Sequence, residues 1–519
     1  MTILNHGRAD KPFRPVQVEA LEWFEKNYDS HDVLVIEGPT AVGKSVIVTT
    51  IANWLESRDM YGQESAKVSV CTPTKILQDQ YMTDFGDIPV LKGQASYPCD
   101  LAEGATCQKT KRSLGSCCKP TEENGRAVCN YLIARQEALD APIALFNLHS
   151  YYANKMYKDA LIIDESHNAL KFLFDYYSLK FWKCEVDYTD DAPMNVETVK
   201  DLINKAKCDL QLHLVTLQDQ GGDTKSLGNI EDEIERLTLI ATTIEFYEKD
   251  LLICKVEEEY YGKVKELRKT KQEHIYVKPT VVDRIGIQTL WPKKIKKVIL
   301  LSATINEEDI KRLGLQDRRV AYLRLDSPIP PERRPFVYTP VASMAYRNRK
   351  ESIPAIIKMC GQIAAKMDKH KGVIHCTYDM ADKLKAEYRY NDRFWFHGKM
   401  DKSDRYNEFR AAKGNMIFVA SGMSEGIDLA GDSARFQIIT QLMRPNLGDR
   451  VNAWMVKNNI NAYNWEAVRE VIQQAGRICR GPEDFGMTFM LDSEFQGFYN
   501  QTSHLWPQWF KKAIVWPKG

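Results

Sequence analysis

Residues 38–45 read GPTAVGKS, directly after the apolar run VLVIE and directly before VIVTTIANWLE. Few folds accept that order: a buried strand, a glycine-bearing turn and a helix start leave backbone N–H groups pointing at an anion. Gly38 and Gly43 let the backbone close on phosphates, Lys44 reaches the β and γ phosphates, and the Ser45 hydroxyl holds Mg2+. Gly38, Pro39, Thr40, Ala41, Val42, Gly43, Lys44 and Ser45 are therefore the expected cradle of a nucleotide. Upstream, Arg14 and Gln17 in FRPVQ stand at a spacing suited to reading an adenine edge.

The same strand-then-helix rhythm recurs along the chain. Short runs rich in Val and Ile, at Val33 to Glu37, Val68 to Cys71, Ile143 to Phe146, Ala160 to Ile163 and Lys297 to Leu301, read as buried parallel strands. A second series follows at Gly372 to Cys376, Met416 to Ala420, Phe436 to Thr440 and Met487 to Leu491. The expected class is α/β with two parallel-sheet domains. Two stretches interrupt the first: a cysteine-rich loop, then roughly 110 residues after Asn168 that read as charged amphipathic helices, such as Val196 to Gln218 and Asn229 to Lys255. The segment SPIPPERRP reads as a linker. The expected division is 1–94, 133–172 and 286–326 for the first sheet domain, 95–132 for a cysteine insertion, 173–285 for a helical arch-like insertion, 327–336 for the linker and 337–519 for the second sheet domain.

The strand ALIID runs into Asp164, Glu165, Ser166 and His167. That sets two carboxylates at the carboxyl edge of a parallel sheet, where ligands bind. Asp164 suits Mg2+ and Glu165 suits the attacking water; His167 either couples this site to a distant one or caps a helix. In QQAGRICR, Gln473, Arg477 and Arg480 recur at spacings of four and three, which on a helix is one face. Arg477 and Arg480 are the candidates to bring positive charge to a γ phosphate from a second domain, an effect of about 10³ to 10⁵ in rate. The segments CTPT at 71–74, LSAT at 301–304 and SEGIDLAG at 424–431 also fall at strand ends.

Taken in order, these segments are similar to superfamily 2 helicases, and specifically to the iron–sulfur XPD/DinG family, from Arg14 to about Asp492. The resemblance implies two RecA-like motor domains that hydrolyse ATP with Mg2+ between them. It implies nucleotide motifs at Gln17, Lys44, Ser45, Asp164, Glu165 and His167 and a coupling motif at Ser302, Ala303 and Thr304. The second domain would add Glu425, Gly426, Asp428, Gln473, Gly476, Arg477 and Arg480. It further implies single-stranded DNA lying across both domains, touched by Thr72, Pro73 and Thr74 from the first and by His375, Cys376, Thr377 and Ser424 from the second. Backbone contacts of that kind carry little sequence information. A monomer translocating 5′-to-3′ and unwinding forked duplexes, with a single-strand-binding protein as a partner, completes the implication. Rival readings are a DEAH-type RNA helicase or remodelling ATPase, and an ATP-gated clamp on single-stranded DNA that does not unwind.

Twelve cysteines are present, and Cys99, Cys107, Cys117, Cys118 and Cys129 are crowded into one loop. Their wide spacing departs from the tight knuckles of most zinc sites, although structural zinc stays an alternative. The resemblance implies a four-iron four-sulfur cluster on Cys99, Cys107, Cys117 and Cys129, with Cys118 as the alternative to Cys117. The flanks KGQASYPC and CNYLIARQEALDAPIALFNLHS carry it. Lys109, Lys111, Arg112, Lys119 and Arg126 add a basic run that reads equally as a DNA contact or as solvated charge. Globally, 71 basic against 70 acidic residues neither support nor exclude a polyanionic partner. No apolar run approaches the length of a membrane span, and the polar start lacks a signal-peptide core, so a cytoplasmic protein without a membrane partner is expected.

Overall fold

The computed structural model describes residues 2–7, 12–58, 65–73, 75–86, 88–99, 106–107, 122–123, 126–127, 129–182, 188–189, 195–222, 224–246, 251–261, 269–292, 294–398, 400–423 and 429–517. Along the chain come β1 (Val33–Glu37), β2 (Val68–Thr72), β3 (Val90–Leu91), a short hairpin of β4 (Glu122–Glu123) and β5 (Arg126–Ala127), then β6 (Ile143–Asn147) and β7 (Ala160–Ile163). An insertion contributes β8 (Leu179–Trp182), β9 (Leu251–Tyr261) and β10 (Lys269–Pro279), after which β11 (Lys297–Ser302) and β12 (Val320–Arg324) complete the first domain. The second domain holds β13 (Phe336–Ala342), β14 (Gly372–Cys376), β15 (Phe394–Trp395), β16 (Ile417–Ser421), β17 (Phe436–Ile439), β18 (Met487–Asp492) and β19 (Ile514–Val515).

Two seven-stranded sheets result, ordered β12-β1-β11-β7-β2-β6-β3 and β15-β16-β14-β17-β18-β13-β19. Every pairing in both is parallel. The continuous apolar runs follow from this architecture, because helices cover both faces and alternate side chains must enter opposite cores. Val33 and Val35 of β1, Leu161 and Ile163 of β7 and Val298 and Leu300 of β11 pack into one core. Their neighbours Leu34, Ile36, Ala160, Ile162, Ile299 and Leu301 pack into the other.

The order β1-β11-β7 at the sheet centre matters most for function. It sets the carboxyl ends of the strands before Gly38, Ala303 and Asp164 side by side.

The insertion is only partly helical, which corrects the sequence reading. Helices Val196–Asp219 and Thr224–Phe246 are followed by a three-stranded antiparallel sheet, β8-β10-β9. The second helix stops at Phe246, and Lys255 lies on β9, paired with Ile275. The physical cause is a switch of period. Ile275 and Val277, two residues apart on β10, face a core built with Val199, Ile203, Leu237 and Ile244. Among the described residues, no helix is long and apolar enough to cross a membrane.

Candidate nucleotide site between the motor domains

The loop after β1 turns into the helix Lys44–Glu56 through Gly43, whose φ of 82° lies in the left-handed region. A Cβ there would sit 2.5 Å from the Gln17 amide nitrogen. Gly43→Ala is therefore expected to cost about 1–2 kcal/mol in backbone conformation alone and to weaken ATP binding about tenfold; ATP titration and thermal melting of the variant check both.

Gln17 is buried, and its amide spans the helix start and the loop: its oxygen accepts from Arg14 N at 2.9 Å and its nitrogen donates to Val42 O at 2.9 Å. Arg14 donates to Ala41 O at 2.5 Å. Both residues thus brace the phosphate loop in this structure, satisfying carbonyls that its tight turns leave unpaired.

Opposite the loop, Lys44 Nζ lies 3.1 Å from Glu165 Oε1. Glu165 takes φ 47°, an uncommon conformation for a side chain of its size, and its N–H is held by Asp164 Oδ1 at 2.8 Å. Tyr81, on the helix Lys75–Phe85, donates to Asp164 Oδ2 at 2.8 Å. Burial pushes the Asp164 carboxyl up to about 6, and the adjacent Glu165 adds to the shift. Burial also works against charge on Glu165, but Lys44 and His167 outweigh it and hold that carboxyl below its ordinary value. Lys44 mirrors this: burial disfavours its charge, and Glu165 with Asp164 more than restore it. A carboxylate and a hydroxyl, on Asp164 and Ser45, form an oxygen donor set suited to Mg2+.

His167 connects this group to the rest of the molecule. Its Nδ1 lies 2.9 Å from Ser302 Oγ and 3.5 Å from Glu165 Oε2. Its Nε2 lies 2.8 Å from the Gln473 amide nitrogen and 3.0 Å from that of Asn168. Burial pushes its pKa down to about 4, so the ring is neutral. With two amide donors facing Nε2, the proton belongs on Nδ1, where it can be donated toward Ser302 or Glu165. Gln473 also reaches Thr304 Oγ1 at 3.4 Å, so His167, Gln473 and Thr304 stand together where the two domains meet.

The second motor domain closes the site. Its helix Ile460–Ala475 carries Gln473 and ends with Gly476 as the capping residue, and a Cβ on Gly476 would stand 3.2 Å from Thr40 of the phosphate loop. Arg477 and Arg480 lie beyond that end, so they do not share a helix face with Gln473, which corrects the sequence expectation. The helix ends at Ala475, and Cys479 at φ 64° turns the chain. Arg480 nonetheless acts electrostatically on both Lys44 and Glu165, whereas Arg477 acts on His375. Asp484 fixes the turn, accepting from the backbone N–H groups of Arg480, Gly431 and Phe485 and pairing with Arg435. Tyr81, Asn168 and Asp484 are site residues that motif spacing alone does not single out. Only for Asp484 does the sequence carry a signal, an Asp four residues past Arg480.

The expected strand-contacting residues are placed less simply. Thr72 is fully buried and Pro73 half-buried, and Thr74 lies outside the described residues. His375 and Cys376 are buried at the end of β14 in the second sheet. His375 Nε2 lies 3.1 Å from Gln437 Oε1, and burial pushes its pKa down to about 4. Thr377 is half-buried and caps the helix Tyr378–Tyr388. Ser424, Glu425, Gly426 and Asp428 lie outside the described residues.

Of the cysteine loop, Cys99, Cys107 and Cys129 are described, and Cys117 and Cys118 lie outside. Cys107 is buried, with its N–H donating to Tyr97 O at 2.9 Å beside a Pro98–Thr106 bridge. Cys129 precedes the helix Asn130–Asp140, whose Tyr131 packs edge-on to Tyr97. Cys107 and Cys129 therefore adjoin one core. Among the described residues no group of three or more His, Cys, Asp or Glu is arranged to hold a metal ion.

The family model of a helicase C-terminal domain matches residues 364–513, and that of the type III restriction enzyme res subunit matches residues 10–213. No curated protein matches the sequence. Among solved structures, the chain is similar to S. tokodaii Xpd4 at 13% identity and TM-score 0.57, over 97% of this chain and 100% of that one. An XPD helicase structure gives 12% identity and TM-score 0.62, over 98% and 100% of the two chains. An XPD apo structure gives 12% and 0.55, over 95% and 98%. At such identities the likeness is one of fold, and the domain matches add the helicase character. The chain thus carries a match to a helicase C-terminal domain in its second half and to the res subunit in its first, on the fold of the XPD structures.

Proposed function

We propose that the protein is a DNA helicase that moves 5′-to-3′ on single-stranded DNA and separates forked duplexes, hydrolysing ATP between its motor domains. The observation that carries the hydrolytic part is His167, which touches Glu165 on one side and Gln473 of the opposite domain on the other. A group shared in this way lets closure of the two domains register at the water-activating carboxylate.

In this reading Lys44 and the loop N–H groups hold the phosphates, and Glu165 takes a proton from the attacking water. Gln473 senses closure through His167, and Arg480 supplies charge from the second domain. Mg2+ held by Ser45 and Asp164 would neutralise charge between the β and γ phosphates. Contacts to the strand come from backbone and half-buried surface such as Pro73 and Thr377, which suits a sequence-tolerant grip.

The cysteine loop, in the same proposal, carries a four-iron four-sulfur cluster. Its support is the thiolate donor set and its spacing, and no hydrolytic step passes through it.

The test is strand separation by anaerobically purified protein on forks bearing a 5′ or a 3′ single-stranded tail, with iron and zinc quantified on the same sample. ATP-dependent unwinding from the 5′ tail alone, with iron near four per chain, is the expected result. Unwinding only from the 3′ tail, or zinc, sinks the polarity or the cluster respectively. Stimulation by RNA and not DNA favours the RNA-helicase reading, and ATP turnover without strand separation favours the clamp.

A further inference from the structure

A buried ionic network joins the two motor domains beside, but separate from, the His167–Gln473 contact. Asp309 lies on the helix Glu307–Arg312, a few residues past the Ser302–Thr304 segment. It is 1% exposed, and the Arg469 facing it from the helix Ile460–Ala475 is 7% exposed. Asp309 Oδ1 accepts from Arg469 Nη2, and its Oδ2 accepts from the Trp465 indole at 2.8 Å and from Asn306 N at 3.2 Å. Arg469 donates its other amino group to Glu466 at 2.8 Å, and Glu466 in turn pairs with Arg312 of the first domain at 2.7 Å. Trp465, Arg469 and Gln473 recur every four residues and so lie along one strip of their helix.

We propose that Asp309 and Arg469 form the latch that holds the motor domains in their hydrolytic arrangement, with Arg469 the positioning residue that brings Gln473 onto His167. The inference rests on the reading that ATP is hydrolysed between the domains. When the domains part, both charges return to water, and within its own domain Asp309 keeps only its bond to Asn306 N at the helix start. When they close, each charge is buried and tolerated only because the other is present. Removing one partner therefore penalises the closed state alone, and replacing both with uncharged groups lifts much of that penalty. Asp309 and Gln473 also meet the same short segment, Ser302 to Asn306, from two sides, so latch and sensor form and break together.

The experiment is a double-mutant cycle with Asp309→Asn, Arg469→Met and both, read as ATP turnover with single-stranded DNA present. Each single variant is expected to lower kcat by about 10- to 100-fold. KM for ATP should move less, since the phosphate loop belongs wholly to the first domain. The double variant should recover about tenfold relative to additivity, and Arg469→Lys should keep more activity than Arg469→Met. Single variants within about twofold of the parent, or strictly additive losses, overturn the latch. So would a collapse of the melting temperature in Arg469→Met and Arg469→Lys alike, which would make the pair an element of the fold.

A second readout needs no turnover: solution scattering of the protein with a non-hydrolysable ATP analogue. The single variants should have a larger radius of gyration than the parent and the double variant should return toward it; identical radii overturn the proposal. A parent protein without ATP turnover would sink the hydrolytic reading, and the scattering comparison would still decide the latch.

Discussion

Lys44→Ala should lower ATP turnover by at least about 10²- to 10³-fold, the range seen when one donor to a developing negative charge is removed. The effect reaches beyond phosphate binding. Lys44 is the cation that stands 3.1 Å from Glu165 and helps hold that carboxyl ionised against the cost of burial. Without it, Asp164 and Glu165 face each other as two buried acids, and the pKa of Glu165 moves upward. The variant therefore loses both the proposed phosphate contact and part of the charge on the carboxylate proposed to activate water. Strand binding should survive, because the surfaces proposed to carry it lie elsewhere. Steady-state ATP turnover and single-strand binding measured on one preparation check this, and persistent turnover would remove Lys44 from the mechanism.

How much of this was readable in the sequence depended on how local the cause was. The phosphate loop was legible because strand, turn and helix are contiguous and each residue type has one use there. The buried central strands were legible because both faces of a parallel sheet demand apolar residues, so β1 and β7 were placed without error. β12 was missed: it pairs only with β1, at the sheet edge, and its pattern is less uniformly apolar. The start of β9 reads as helix because it follows a helical stretch and carries no alternation of its own, so its strand character appears only once β10 pairs with it.

The site shows the same division. Asp164, Glu165 and His167 are adjacent in sequence, whereas the tie from His167 to Gln473 spans two domains and has no local signature. Tyr81 and Asp309 are likewise ordinary residues until the fold brings Asp164 and Arg469 to them. The burial of His375 and Cys376 follows from reading Gly372 to Cys376 as a buried strand, whereas a nucleic-acid contact for them came only from the family resemblance.

Arg480→Ala should lower kcat for ATP hydrolysis by about 10³- to 10⁵-fold, the range for an arginine that neutralises charge on a transferring phosphoryl group. Arg477→Ala should cost markedly less. The two arginines are equivalent in the sequence; both follow the helix end, and the turn at Cys479 separates them. Arg480 is among the charges that act on Lys44 and Glu165, and Arg477 is among those that act on His375 of its own domain. Arg480 is also the better anchored, because Asp484 accepts from its backbone N–H at 2.9 Å while pairing with Arg435. Its guanidinium is therefore delivered from a fixed turn, and the second domain need only close to bring it to the phosphates. Such an arginine acts in the transition state more than in ATP binding, so KM should move far less than kcat. Single-turnover hydrolysis by both variants at saturating ATP and single-stranded DNA distinguishes them. A larger loss in Arg477→Ala would exchange their roles, and equal small losses would mean that neither carries charge to the phosphate, leaving Lys44 as the principal cation of the site.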